Sequence, residues 1–326
     1  MEEKKSFKSI FSTKQFTLVL ILIILCVLFT VITKGSFLTI VNIRSILNAM
    51  VLVSFLAIAE SYLIISGCLD LSLGAIGTLC GCVCAILITN HGMPWYVGLI
   101  GAMAVGAVCG SINATTINIF NFPPFIATLA MASIVEGLSY VITDGIRIIM
   151  ETPATAFIGT YRIGGIVPFG VLIAAIFFVV YAIILSKTQF GRKIYICGSN
   201  RRAARLVGIN AKKISYILFI NAGVLASLAG FIFSSRLKNA TVSGITGQQF
   251  SGVTAALLGG ISFGGGSGGM GGCLLGLLVL NVFNNGMTCI GVNTYVQKIF
   301  SGALLIFALL LDTVNKARST RRNTAK

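Results

Sequence analysis

The 326-residue chain is 56% hydrophobic and only 10% charged, with a mean hydropathy of +0.98. Soluble domains carry roughly a quarter of their residues as charged side chains, so this composition excludes one and predicts an integral membrane protein. The formal net charge of +16 does not read as a nucleic-acid surface, because the basic residues sit in three flanks beside apolar runs instead of forming a stripe on a soluble fold.

Taken in chain order, a basic N-terminal tail over residues 1–15 leads into an apolar run at 16–33. Eighteen residues rise roughly 27 Å as a helix, close to the thickness of the hydrocarbon core. A secretory signal has a shorter core and a small-residue cleavage site, so this run is an uncleaved first span. A second run over about 45–66 carries Glu60, and GCLDLSLG (67–74) follows, with Asp70 between two glycines. The third run ends near Thr89, NHGMPW turns the chain, and the fourth covers 96–119. NFPP (121–124) breaks the pattern, since paired prolines can start a helix but cannot continue one. The fifth span, 125–143, contains Glu136; residues 144–165 form a long loop, and a sixth run ends at Leu185.

Next comes the stretch that orients the chain. Residues 187–213 hold Lys187, Arg192, Lys193, Arg201, Arg202, Arg205, Lys212 and Lys213 and no acid. Residues 200–208 lack proline and end on Gly208, where a helix would stop, so a short helix outside the membrane is predicted there. The seventh run covers 214–235, and VTAALLGGISF (253–263) is too short to cross as a full helix. The glycine run GGGSGGMGG (264–272) precedes a ninth run at 273–290 and a tenth at 295–311. The expected organisation is an all-α integral membrane protein of about ten spans, one of them short or broken. Its parts are an N-terminal tail (1–15), a membrane domain (16–312) with a loop at 187–213, and a basic tail (313–326). With the N-terminus inside, 17 of the 24 basic residues fall on the cytoplasmic side, which supports an even number of spans with both termini cytoplasmic. Charge alone does not separate eight spans from ten, because the turns near Asp70, Asn121 and Gly266 carry no basic residue.

Little in these runs resembles catalytic chemistry. The glycine run lacks the lysine and hydroxyl of a nucleotide loop and is flanked by apolar helices, so close packing or an unwound segment explains it, and no cofactor is expected in this chain. Of Cys80, Cys82 and Cys84 only the first and last share a helix face, and His91 lies about two turns on, so neither a metal site nor a disulfide framework is expected. Glu60 and Glu136 are candidates because intramembrane acids are costly unless paired or wet; structural placement and a proton relay both stand as readings. Asn113, Asn118, Asn221, Asn281, Asn284 and Asn285 suit either interhelical hydrogen bonds or a neutral polyhydroxylated solute. The interruptions at 67–74 and around 258–269 occupy comparable places in the two halves, as paired broken helices beside a transport path do and as ordinary tight turns also do. Placement at these breaks and polar clusters makes Asp70, Ser72, Asn284 and Asn285 the candidates for a translocation path.

Four motifs, in order, resemble the membrane permease subunit of ribose-type sugar ABC importers, a family that includes permeases for xylose, galactose and autoinducer-2. ISGCLDLSLGAI is similar to the family's ISGGIDLSVG, with Cys68 and Leu69 as departures; NFPPFIATLAMASIVEGL resembles its PPFIVTLG segment. FGRKIYICGSNRRAARLVGIN resembles its FGR…GxNxxAAxxSGI loop, and LLGGISFGGGSGGMGG its glycine-rich element. The resemblance runs from about residue 40 to Asp312. It implies the ABC importer permease fold, pairing with a second permease copy or a paralogue, ATP bound by separate ATPase subunits, and a sugar delivered by an extracytoplasmic binding protein at a bacterial cytoplasmic membrane. It also implies that the basic loop is the coupling helix, through Asn200, Arg201, Arg202, Ala203, Ala204, Arg205 and Gly208, with Arg202 in place of the glutamate usual in such loops. Ala203 and Ala204 are expected on the exposed side, where small residues enter a groove closely, and the arginines face acidic partner surfaces or lipid headgroups. A stand-alone secondary carrier or channel is the alternative; a membrane enzyme would need a cluster of His, Cys and acids that the chain lacks.

Overall fold

In hydrocarbon every backbone amide must find its partner within the protein, so apolar runs of this length have to become helices. The structure, a computed structural model describing residues 13–324, bears this out. The helices are α1 (Thr13–Ile32), α2 (Ile40–Ile65), α3 (Leu73–Thr89), α4 (Trp95–Asn118), α5 (Pro124–Thr143), α6 (Pro153–Thr160), α7 (Phe169–Lys187), α8 (Gln189–Ser199), α9 (Arg201–Leu206), α10 (Ala211–Leu237), α11 (Gln249–Leu258), α12 (Met270–Cys289) and α13 (Thr294–Thr324). Among the described residues, eight helices are long and apolar enough to cross a membrane, and the apolar α3 and α11 are shorter. Together they match the expected ten, and the chain is a multi-pass membrane protein. Most of the expected N-terminal tail lies outside the described residues; its last three residues open α1, and α13 runs on through the basic tail to Thr324.

Helix α10 stands at the centre, packed against α2, α3 and α4. Glycines set the spacing. A Cβ on Gly223 would lie 1.9 Å from the Gly106 carbonyl oxygen of α4, and one on Gly106 would lie 2.3 Å from that of Gly223. Gly230 meets the Gly77 carbonyl of α3 in the same way, at 1.9 Å. Such backbone-to-backbone contact is how helices associate where lipid removes any hydrophobic drive between them.

Helix α11 occupies 249–258, several residues earlier than the apolar run 253–263 suggests. Gly259 ends it against Gly272 of α12, and Gly260 follows at φ +86, a conformation that favours glycine. At about 15 Å, α11 covers only half a membrane. The other half is the unwound stretch 241–248, anchored on α3 by the Ile245 N–H, which donates to Thr78 Oγ1 at 3.0 Å.

At the end of the bundle away from α8 and α9, the loop 144–168 is ordered. Strand β1 (Ile148–Ile149) pairs antiparallel with β4 (Asn239–Ala240), β2 (Arg162–Ile163) pairs with β3 (Val167–Pro168), and Lys238 forms an ion pair with Glu151. Thr152 caps α6 reciprocally with Thr155, and Pro153 sits in its first turn.

Replacing Gly223 by leucine forces α10 away from α4. It is expected to lower stability by about 1–3 kcal/mol or more, read as an earlier thermal unfolding transition in detergent. Gly302→Ala on α13 is the control: a Cβ there meets nothing within 4 Å, and the transition should not move down.

Candidate functional site

The basic loop folds as two helices. Thr188 caps α8 by accepting from the Gly191 N–H at 3.1 Å, and the helix turns Gly191, Ile194 and Cys197 inward. Asn200 then caps α9: its Oδ1 accepts from the N–H groups of Arg202 (2.9 Å) and Ala203 (3.1 Å). The helix closes where Gly208 takes φ +74 and the Ile209 N–H returns to the Ala204 carbonyl at 2.9 Å. The short helix expected over 200–208 is therefore present, with α8 before it as an addition.

Its faces differ from expectation in one respect. Ala203 is exposed, but Ala204 is fully buried (0%) and packs inward. Adjacent positions point about 100° apart, and the side of α9 that rests on the bundle falls at Ala204. The outward apolar positions are instead Leu206, 88% exposed, and Val207, 67% exposed, with Arg201, Arg202 and Arg205 exposed around them. Sequence reasoning passed over Leu206 and Val207 because apolar residues are unremarked in so apolar a chain. Their position past the cap at Asn200, in a charged loop, is the signal that was available.

Behind α8 the two sequence interruptions meet. The Gly266 N–H donates to the Ile65 carbonyl at the end of α2 at 2.8 Å, and a Cβ on Gly198 of α8 would lie 1.8 Å from that same oxygen and 2.7 Å from Gly266 N. Tyr195 Oη of α8 donates to the Gly268 carbonyl (2.7 Å), and Arg201 Nη2 donates to Cys68 Sγ (3.0 Å). Burial pushes the Cys68 and Cys197 thiols up, with Arg201 pulling the other way. The Arg201–Cys68 contact is thus a hydrogen bond to neutral sulfur. Asp312 on α13 accepts from Ser262 Oγ (3.1 Å) and the Phe263 N–H (3.0 Å), which ties down the second break. The breaks, α8 and the start of α9 form one node.

Asp70 and Ser72 lie within the first break, between α2 and α3, both fully buried. Asp70 Oδ1 accepts from the Ser72 N–H (2.9 Å) and from its hydroxyl; Asn113 Nδ2 of α4 donates to Asp70 Oδ2 (3.2 Å) and Ser72 Oγ (2.9 Å). This network starts α3 and clamps it to α4. Asn284 and Asn285 stand near the far end of α12, half-buried, with Asn284 Oδ1 accepting from Ser301 Oγ at 3.4 Å. The structure therefore brings Asp70 and Ser72 together and keeps Asn284 and Asn285 apart from them. Most other amides serve interhelical bonds: Asn118 Nδ2 donates to Ser215 Oγ (2.9 Å), and Asn221 accepts from Tyr181 Oη. Glu60 is fully buried in α2, and neither carboxyl oxygen has a partner among the described residues. No group of three or more His, Cys, Asp or Glu able to hold a metal occurs among them.

Residues 42–309 match the family described as branched-chain amino acid transport system / permease component. The chain is 32% identical to the ribose import permease RbsC of Escherichia coli K12 over 95% of its own length and 96% of that protein's. It is 33% identical to the RbsC of Bacillus subtilis strain 168 (88% and 89%) and 31% identical to the D-allose transport system permease AlsC of E. coli K12 (95% and 95%). No solved structure matches the chain.

Two substitutions separate satisfied from unsatisfied polarity. Asp70→Ala strands the Ser72 and Asn113 donors and should cost about 3 kcal/mol, whereas Glu60→Met removes an orphaned carboxyl and should gain about 1 kcal/mol, both read by thermal unfolding in detergent.

Proposed function

The chain belongs to the family of transport-system permease components, and from that membership we propose that it forms the membrane path of an ATP-driven sugar importer in a bacterial cytoplasmic membrane. Its relatives are named for ribose and allose import, so the solute is a monosaccharide or a similar polyhydroxylated compound. The chain carries no nucleotide loop of its own; ATP is bound and hydrolysed by a separate ATPase subunit. A binding protein delivers the sugar at the end bearing α6 and the paired strands. A second permease, a copy of this chain or a paralogue, completes the path. Both termini are cytoplasmic, on the side of α8 and α9, where most basic residues gather.

The observation that carries this reading is the tip of α9. Leu206 and Val207 are exposed beyond the membrane, beside three arginines that lack an ion-pair partner among the described residues. Lipid does not cover an apolar tip in a charged cytoplasmic loop, and a solvated one is unfavourable; a groove in a soluble partner, with acidic groups around it, satisfies both the tip and its rim. Asn200 and Gly208 shape the helix that presents it, Ala203 allows close approach, and Ala204 seats it on the bundle. When two ATPase subunits close on ATP they shift the seated tips, and the node passes that displacement to the breaks in the membrane domain. Transport then follows as alternating access, with the energy supplied by the partner.

The solute route is supported by the unwound stretch 241–248. Exposed, non-helical backbone at membrane depth is tolerated only beside water or protein, and Ser243, Thr246 and Gly247 are exposed. Asp70 and Ser72 act from behind, by setting where α3 begins; Asn284 and Asn285, at the outer end of α12, meet the solute near its entry.

The test is ATP hydrolysis by the candidate ATPase reconstituted in lipid with this chain and a sugar-loaded binding protein. Leu206→Arg with Val207→Asp should cut permease-dependent hydrolysis by about tenfold or more, as loss of an apolar anchor does, while the melting transition of the permease stays in place. Solute movement without any ATPase, indifferent to those changes, would replace the importer by a stand-alone carrier.

A further inference from the structure

Helix α5 carries a charge at hydrocarbon depth. Glu136 lies about 18 Å along the helix from Pro124 and about 10 Å from Thr143. It is exposed, and it has no hydrogen bond or ion pair among the described residues. A carboxylate held against lipid tails is strongly disfavoured, so water or protein must meet this face.

The neighbouring residues agree. Ala130, Ser133, Gly137 and Tyr140 recur three and four apart along the exposed side of α5, and a Cβ on Gly137 would touch nothing within 4 Å. The exposed side chains at the centres of α1 and α7 are aliphatic throughout, Ile23, Ile24 and Val27 on one and Ile176, Val179 and Val180 on the other, whereas those of α5 mix Leu129, Ile134 and Leu138 with Ser133 and Glu136. The faces of α1 and α7 suit lipid, and that of α5 adds a carboxyl, a hydroxyl and a phenol to its aliphatic groups. Its opposite side leans on α3, where Thr128 Oγ1 accepts from the Leu71 N–H at 3.1 Å. Helix α3 also anchors the unwound stretch, so two neighbours of one helix both need a wet or protein-covered surface.

We propose that Glu136 lines the solute path and determines specificity there. Its carboxylate accepts hydrogen bonds from the hydroxyl groups of a neutral polyol, and its charge turns away anionic solutes such as phosphorylated sugars. The proposal rests on the reading that two permeases enclose the path. If both are copies of this chain, the two-fold axis sets two Glu136 carboxylates on opposite walls, doubling the hydroxyl acceptors.

The experiment uses the full chain assembled with its ATPase and binding protein in proteoliposomes. Glu136→Cys, in a background where the exposed Cys289 is serine, is treated from either face with the membrane-impermeant reagent 2-sulfonatoethyl methanethiosulfonate. Modification is expected, with ATP-dependent uptake of D-ribose blocked in consequence. Absence of reaction from both faces overturns the proposal, whether lipid or a dry subunit contact covers position 136. In parallel, Glu136→Gln should keep ribose uptake within about threefold, since the amide oxygen still accepts, and Glu136→Leu should lower it about tenfold or more while basal ATP hydrolysis persists. Wild-type uptake by Glu136→Leu would likewise overturn it. Should the unaltered chain import no ribose, the sugar reading fails by itself, and labelling at position 136 still decides whether this face is wet.

Discussion

Backbone-to-backbone contact at glycine holds this protein together. Within a membrane, a leucine face gains nothing from turning away from lipid toward another helix, so association depends on how closely atoms approach. The reciprocal contacts of Gly223 with Gly106, and the approach of Gly230 to the Gly77 carbonyl, bring α10 into direct backbone contact with both α4 and α3. Dispersion and weak Cα–H···O bonds operate only at that range. Gly259 and Gly272 do the same for α11 and α12, which is how a helix of only ten residues keeps a fixed place.

The same device extends to the node around α8. Gly198 approaches Ile65 and Gly266 so closely that α8, the end of α2 and the start of α12 have little freedom to move independently. A short helix hung on a flexible loop would be free to move by itself. Here α9 is capped at both ends and follows directly on α8; Tyr195 of α8 bonds the second break and Arg201 of α9 the first. Interfaces packed this tightly pass a shift on as a whole instead of absorbing it.

Polar groups divide accordingly into those the fold consumes and those it leaves available. Asp70, Ser72 and Asn113 bond one another in the core, leaving the Asn113 Oδ1 without a partner among the described residues. Glu60 and Glu136 look alike along the chain, each a single acid in an apolar helix. One is sealed in the core and the other stands on an open face, so of the two only Glu136 is accessible at the surface.

The sequence by itself determined the number of spans and the stop of α9 at Gly208. Both rest on local physics: hydrocarbon thickness, and the positive φ open to Gly208. The motifs around residues 67–74, 121–138, 190–210 and 257–272 carried the family. Only the tertiary structure decided that the two interruptions meet against Gly198, that Ala204 faces in while Leu206 faces out, and which acid is buried. In a soluble helix an apolar stripe would have disclosed those faces. These helices are apolar all round, because lipid and protein interior ask for the same side chains, and the face each residue shows is settled by where its neighbours pack.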